Sequence, residues 1–156
     1  MTEKSSSYDP IVVAFVCTYC SYTAADLAGS LRLNYPSNVR IIKMTCTGKT
    51  DPILLLNAFE KGADAVFVAG CQLGDCHFQK GNYRGKSWVA FTKERLEEIG
   101  IESERLEYFH VAASQAGDWV QAVTEMTERA KRLGPSPFNP RFGAPAQTQT
   151  TYRKKS

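Results

Sequence analysis

Short apolar runs alternate with helix-period segments through most of this chain, and that alternation restricts the folds open to it more than any other feature. Residues 11–16 form a continuous β-rich run, read as a strand buried on both faces. Residues 39–44 and 65–69 read the same way, and residues 106–111 less sharply. Between them lie helices. Ala24, Leu27, Ala28, Leu31 and Tyr35 keep to one helical face, with Pro36 as the expected stop. A second helix starts at Pro52 behind a Thr50 or Asp51 cap and ends at Gly62. A third is expected over 87–99, closed by Gly100. A fourth is expected over 118–133, with Trp119, Val123, Met126, Ala130 and Leu133 inward.

The order βαβαβαβα implies a parallel sheet with right-handed crossovers and helices on both faces. The expected fold is therefore α/β: a flavodoxin-like doubly wound parallel sheet of about four strands, in the order 2-1-3-4, followed by an extended C-terminal tail. The expected division is a flexible N-terminus (1–10), an α/β domain (11–134) and an extended or disordered tail (135–156). The tail carries Pro135, Pro137, Pro140 and Pro145, a Gln/Thr stretch and a basic end. Phe138 and Phe142 are its only large apolar anchors, and the expectation is that it lies away from the core.

In open α/β sheets, ligands sit beyond the carboxyl ends of the strands. The five cysteines gather there. Cys17 and Cys20 follow the first run, Cys46 the second, and Cys71 and Cys76 the third. With strand order 2-1-3 these loops are neighbours, within reach of one small inorganic centre. An odd number of cysteines in a chain without an export signal argues against a disulfide framework. Four thiolates suit iron or zinc. The spacing, C-x2-C, one Cys, then C-x4-C, matches neither a zinc ribbon nor the bacterial ferredoxin run. Iron–sulfur binding leads, with zinc, thiol–disulfide chemistry and inert buried cysteines as alternatives.

The same loops hold Gly70, Gly74, Gly81 and Gly85, which let backbone approach a cofactor closely. His77 is read as a loop residue beside the site, with Rieske-type ligation as the alternative. His110 is read as a structural residue at a strand end. Tyr19, Tyr22, Phe78 and Tyr83 either shield the site, form a partner surface or pack in the core. Gly48-Lys49-Thr50 resembles the end of a phosphate-binding loop but lacks its upstream glycine.

Bulk properties exclude several classes. A net charge of +3, concentrated in Arg153, Lys154 and Lys155, gives no case for nucleic acid. The longest apolar runs are too short to span a bilayer, and residues 1–10 lack a signal-peptide core, so a cytoplasmic location is expected.

Several stretches carry a family resemblance. They are Phe15-x-Cys17-x-x-Cys20-Ser21-Tyr22 with Ala25-Asp26-Leu27-Ala28-Gly29, and Tyr35-Pro36-x-Asn38-Val39-Arg40-Ile41-Ile42. Cys46-x-Gly48-x-x-Asp51-Pro52 and Ala58-Phe59-Glu60-Lys61-Gly62-Ala63-Asp64 follow. Val68-Ala69-Gly70-Cys71, Gly74-Asp75-Cys76-His77 and Gly81-Asn82 complete the set. Over residues 11–133 the chain resembles the delta subunit of methyl-viologen-reducing hydrogenase, the MvhD family of hydrogenase iron–sulfur subunits. Tyr19 stands where such proteins often carry tryptophan.

The resemblance implies a non-catalytic electron-carrier subunit of an oxidoreductase complex, holding a 2Fe–2S cluster on four of Cys17, Cys20, Cys46, Cys71 and Cys76. It implies a hetero-oligomeric complex. Electrons would pass from a hydrogenase or formate dehydrogenase subunit to the flavin-containing subunit of a heterodisulfide-reductase-type assembly, in which the flavin is implicated in electron bifurcation. Neither a membrane nor a nucleic acid is among the expected partners. The rival is a stand-alone thiol/disulfide reductase with Cys17 as nucleophile at a strand-to-helix turn.

Overall fold

The computed structural model describes residues 8–140. Four parallel strands, β1 (Val12–Cys17), β2 (Val39–Met44), β3 (Ala65–Gly70) and β4 (Leu106–His110), pair in the order β2-β1-β3-β4. The helices are α1 (Ser21–Ser30), α2 (Pro52–Glu60), α3 (Gly81–Glu98) and α4 (Ala116–Leu133), with short 3₁₀ turns at Thr47–Lys49 and Ser103–Arg105. Topology and strand order match the sequence expectation.

The period of two along a strand separates the core into two layers. Ala14, Val16, Phe67 and Ala69 face α1 and α4, around the buried Trp119. Phe15, Val66 and Val68 face Leu55 and Phe59 of α2 and Val89 and Leu96 of α3. The central strands β1 and β3 are thus covered on both faces. β2 is not: Ile41 and Ile42 are exposed, because this edge strand is covered only at its ends, where Val39 packs against one core layer and Met44 against the other. The expectation that this run is buried on both faces is corrected accordingly.

Two helix boundaries also differ from the sequence reading. α1 ends at Ser30, five residues before Tyr35. Arg32 takes a left-handed conformation (φ 54°), and the N–H groups of Arg32 and Leu33 close onto Gly29 and Ala28. This is a Schellman ending made without the usual glycine, so the sequence does not announce it. Tyr35 still reaches the core, edge-on to Trp119 at 6.3 Å. α3 begins six residues early, at Gly81. Two glycines in its first turns weaken any helix reading by roughly 1 kcal/mol each. Tertiary contact reverses that penalty, as described below. At α2 the cap is Asp51, whose Oδ1 accepts from Leu54 N–H at 2.8 Å.

At the amino edge of the sheet, a buried carboxylate ties the chain together. Asp64 accepts hydrogen bonds from Ile11 N–H (2.8 Å), Ser136 N–H (2.8 Å) and the Asn139 side-chain amide (2.9 and 3.0 Å). Beside it, the buried Arg105 donates to the carbonyls of Asp64, Leu133 and Gly134 and pairs with Glu102. The chain after Gly134 therefore does not leave the core at once. Ser136 and Asn139 are buried, while Phe138 borders a cleft beside Phe59 and Ile101. Phe142, Pro145 and the basic end lie outside the described residues, as do residues 1–7 of the expected flexible N-terminus.

Replacing Asp64 by Ala strips two buried donors, Ser136 N–H and the Asn139 amide, and the partly buried Ile11 N–H of their acceptor. It is expected to lower unfolding free energy by on the order of 3 kcal/mol, read as a lower urea midpoint. An unchanged midpoint would show that this knot contributes nothing to stability.

Candidate metal centre

β1 delivers Cys17 at its last position, and Cys20 directly precedes α1. β3 ends at Gly70, one residue before Cys71. The three sulfurs meet in a buried cluster, all within 4.8 Å of one another. Cys20 Sγ lies 2.8 Å and Cys17 Sγ 3.9 Å from Cys71 Sγ. Beyond β2, Cys46 opens the 3₁₀ turn, and its Sγ accepts from Gly48 N–H at 3.3 Å. Cys76, from the loop after β3, brings its Sγ within 4.0 Å of Cys46 Sγ. Every cysteine named from the sequence stands at this one edge, as a triad and an adjacent pair, and all five thiols are free.

The spacing suits a metal. Two thiolates on one tetrahedral ion with bonds of about 2.3 Å stand roughly 3.8 Å apart. Cys17 with Cys71 (3.9 Å) and Cys46 with Cys76 (4.0 Å) meet that condition. Soft thiolates are the donor set of iron–sulfur clusters and of structural zinc.

The thiols also act on one another. Cys17 is held down to about 6, first by the hydrogen bond from Cys20 and then by backbone N–H groups, against the cost of burial. Cys20 moves steeply upward, first through that same bond to Cys17 and then through burial. Burial pushes Cys71 up to about 11. Burial also raises Cys46, with the charges of Cys76 and Cys17 adding to it. A charge at either group is thus felt by the other, and thiolates crowded in this way need a cation to coexist.

Glycine lets the fold close around these sulfurs. A Cβ at Gly81 would overlap Cys46 Sγ and stand 3.2 Å from Cys76 Sγ. One turn later, a Cβ at Gly85 would lie 2.6 Å from the Thr47 carbonyl oxygen. One bare face of α3 therefore rests on the turn that carries Cys46. Gly70 makes room for the Tyr108 hydroxyl, which hydrogen-bonds Thr47 Oγ1 at 3.1 Å. Gly74 takes positive φ (89°) at the turn between Cys71 and Cys76.

A second layer of polar groups, which sequence reasoning missed, holds Cys71. The fully buried Asn82 donates to the Cys71 carbonyl (3.2 Å) and the Gln72 carbonyl (2.8 Å), while its own oxygen accepts from Tyr83 N–H. His110 Nδ1 lies 2.9 Å from the Cys71 carbonyl, and Gln115 joins Gln72 to Ala112. His110, expected as a structural or edge residue at the end of the fourth strand, stands there and supports the cysteine loop. Asn82 stood in the sequence beside Gly81, but a lone Asn in a loop-like stretch gives no signal of burial. His77 turns outward, stacked on Tyr19 at 4.2 Å between ring centres, with Phe78 edge-on at 5.0 Å. Tyr19, Tyr22, Phe78 and Tyr83 are all substantially exposed, so the surface reading of these aromatics holds over the core reading.

A doubly wound α/β domain with five free thiols at its carboxyl edge is built for metal–thiolate or thiol redox chemistry. The chain belongs to the family of the methyl-viologen-reducing hydrogenase delta subunit, whose model matches residues 12–134. It is 50% identical over 130 residues to the iron-sulfur subunit of the vhu F420-non-reducing hydrogenase of Methanococcus maripaludis, covering 83% of this chain and 97% of that one. The corresponding protein of Methanocaldococcus jannaschii is 46% identical over 130 residues, with the same coverage of 83% and 97%. A further match, 38% identical over 126 residues, is to a subunit of the ferredoxin:CoB-CoM heterodisulfide reductase of Methanosarcina mazei. It takes in 81% of this chain but 16% of that longer protein.

Gly81→Ala is expected to leave helix content near normal and to lower sharply the iron that the purified chain can take up, because the new methyl group occupies the space of Cys46 Sγ. Far-ultraviolet circular dichroism with iron analysis checks this, and full iron loading would contradict the packing argument.

Proposed function

We propose that this chain is an electron-transfer subunit, with a 2Fe–2S cluster at the carboxyl edge of β1, β2 and β3. The observation that carries the reading is the meeting of Cys17, Cys20 and Cys71 beside the Cys46–Cys76 pair. Relatives whose names specify an iron–sulfur subunit favour iron over zinc. When bound, such a cluster stores and releases one electron at a time. The chain supplies the rest. Cys17 and Cys71 would hold one side and Cys46 and Cys76 the other, each pair at a spacing of one metal's ligands. Cys20, whose Sγ lies 2.8 Å from Cys71 Sγ, too near for two ligands of one metal, would be the fifth sulfur. Gly48 N–H would continue to donate toward the Cys46 sulfur, which favours the reduced state.

The likeness to one part of a heterodisulfide reductase polypeptide supports direct contact with a protein of that type, since a comparable domain there is covalently joined to the remainder. Likeness to hydrogenase subunits supports a hydrogenase on the other side, with a formate dehydrogenase as the alternative donor. The acceptor would be a flavin-bearing subunit, in an assembly capable of electron bifurcation, located in the cytoplasm. No helix among the described residues is long and apolar enough to cross a membrane. A thiol reductase using Cys17 needs its sulfur open to a substrate disulfide, and Cys17 is 2% exposed.

Single Cys→Ser variants, purified without oxygen, test the ligand set. Those at Cys17, Cys46, Cys71 and Cys76 are expected to lose or markedly alter the visible iron–sulfur absorption, and the one at Cys20 to keep it. Normal iron and spectra in Cys71→Ser or Cys76→Ser would sink the assignment.

A further inference from the structure

Several cations of the surface are paired with carboxylates and others are not, and three of the unpaired ones gather in one place. Lys93, Arg95, Arg105, Arg129 and Arg132 are each engaged by a carboxylate, and all lie on α3 beyond its midpoint, on α4 or on the turn before β4. At the carboxyl edge, Lys49, Lys80 and Arg84 have no such partner among the described residues. These three line one open cleft of about 450 Å³, together with Cys46, Gly48, Gly81 and Phe78. No carboxylate contributes to that lining. The nearby Asp51 is committed to capping α2, and the exposed Asp75 stands in the Cys71–Cys76 loop outside the cleft.

The neighbouring surface is aromatic. Phe78 is 47% exposed and meets Tyr19, itself 48% exposed, edge-on at 5.8 Å. A free inorganic anion would satisfy the cations and leave these rings in water. A stretch of polypeptide bearing carboxylates would meet both. Aromatic and Arg side chains are also the residues that carry most binding energy at protein interfaces.

We propose that the cleft of Lys49, Lys80, Arg84 and Phe78 docks an acidic segment of the protein that exchanges electrons with this chain. The inference rests on the relay function proposed above and adds the chemistry of the partner's contact surface. Cys46 is itself part of the cleft lining, so a segment seated there brings its protein beside a proposed cluster ligand. Unpaired cations around such a cleft attract an acidic partner over a distance of about one Debye length and speed productive encounter.

The test uses the iron-loaded full chain, reduced, and compares its oxidation by ferricyanide, a trianion, with that by the tris(phenanthroline)cobalt(III) trication. Either oxidant takes one electron per molecule. The rate ratio is expected to favour ferricyanide. It should fall on the order of tenfold in a K49E/K80E/R84E variant, and again at high salt. Lys131→Glu, near the far end of α4, should leave it unchanged. Calorimetry with poly-L-glutamate reads docking independently of the cluster: the parent chain is expected to bind and the triple variant not to. A rate ratio that the triple substitution leaves unchanged, or poly-L-glutamate binding that survives it, would overturn the proposal. So would inorganic pyrophosphate that binds as tightly as poly-L-glutamate, since the cleft would then be a small-anion site. A colourless, iron-free chain that still binds poly-L-glutamate would instead fail the relay reading while leaving the acidic contact in place.

Discussion

Five sulfur atoms gathered at one edge of the sheet, a buried triad and an adjacent pair, make the constraint on which the rest of this structure depends. Cys17, Cys20, Cys46 and Cys71 are each 6% exposed or less. Thiolates so close and so dry repel one another, and without a cation only some of them can ionise. The opposite displacements of Cys17 and Cys20 express that conflict: one sulfur is driven toward the charged form and its neighbour away from it. A bound cation would resolve it, because a metal ion stabilises several thiolates at once.

The surrounding fold can be understood as the means of assembling that cysteine edge. Strand order β2-β1-β3 makes neighbours of three loops that are far apart in sequence. α3 then lies against the Cys46 turn by way of Gly81 and Gly85, and Asn82 between them fixes the backbone of Cys71 and Gln72. Glycines that weaken an isolated helix are what allow this helix to sit at van der Waals distance from sulfur. The opposite edge of the sheet is locked separately, by Asp64 and Arg105, so anchorage of the chain after α4 is remote from the cysteines.

The alternation of strand and helix signals made the topology legible, because buried parallel strands and one-sided helices leave distinct periods in sequence. The cysteine edge was legible for a related reason: each of the first three strand signals ends one or two residues before a cysteine. Besides the exposure of β2 and the burial of Asn82, further features escaped. Arg32 ends α1 in a conformation usually left to glycine. The start of α3 depends on contact with a turn distant in sequence. The buried Asp64 looks, in sequence, like any surface carboxylate, and its partners Ser136 and Asn139 lie more than seventy residues away. Such long-range polar pairings leave no periodic trace. The same holds for the hold of His110 on Cys71, made across the β3–β4 pair.

The central claim is that these thiols hold a one-electron iron–sulfur centre. Electron paramagnetic resonance of the anaerobically purified chain, before and after reduction with dithionite, tests it most directly. A 2Fe–2S centre is silent when oxidised and gives a spin-one-half signal when reduced, and the signal should integrate to about one spin per chain, alongside equal iron and acid-labile sulfide. A colourless protein with stoichiometric zinc and no reducible signal, or one with five titratable thiols and no metal at all, would contradict the account.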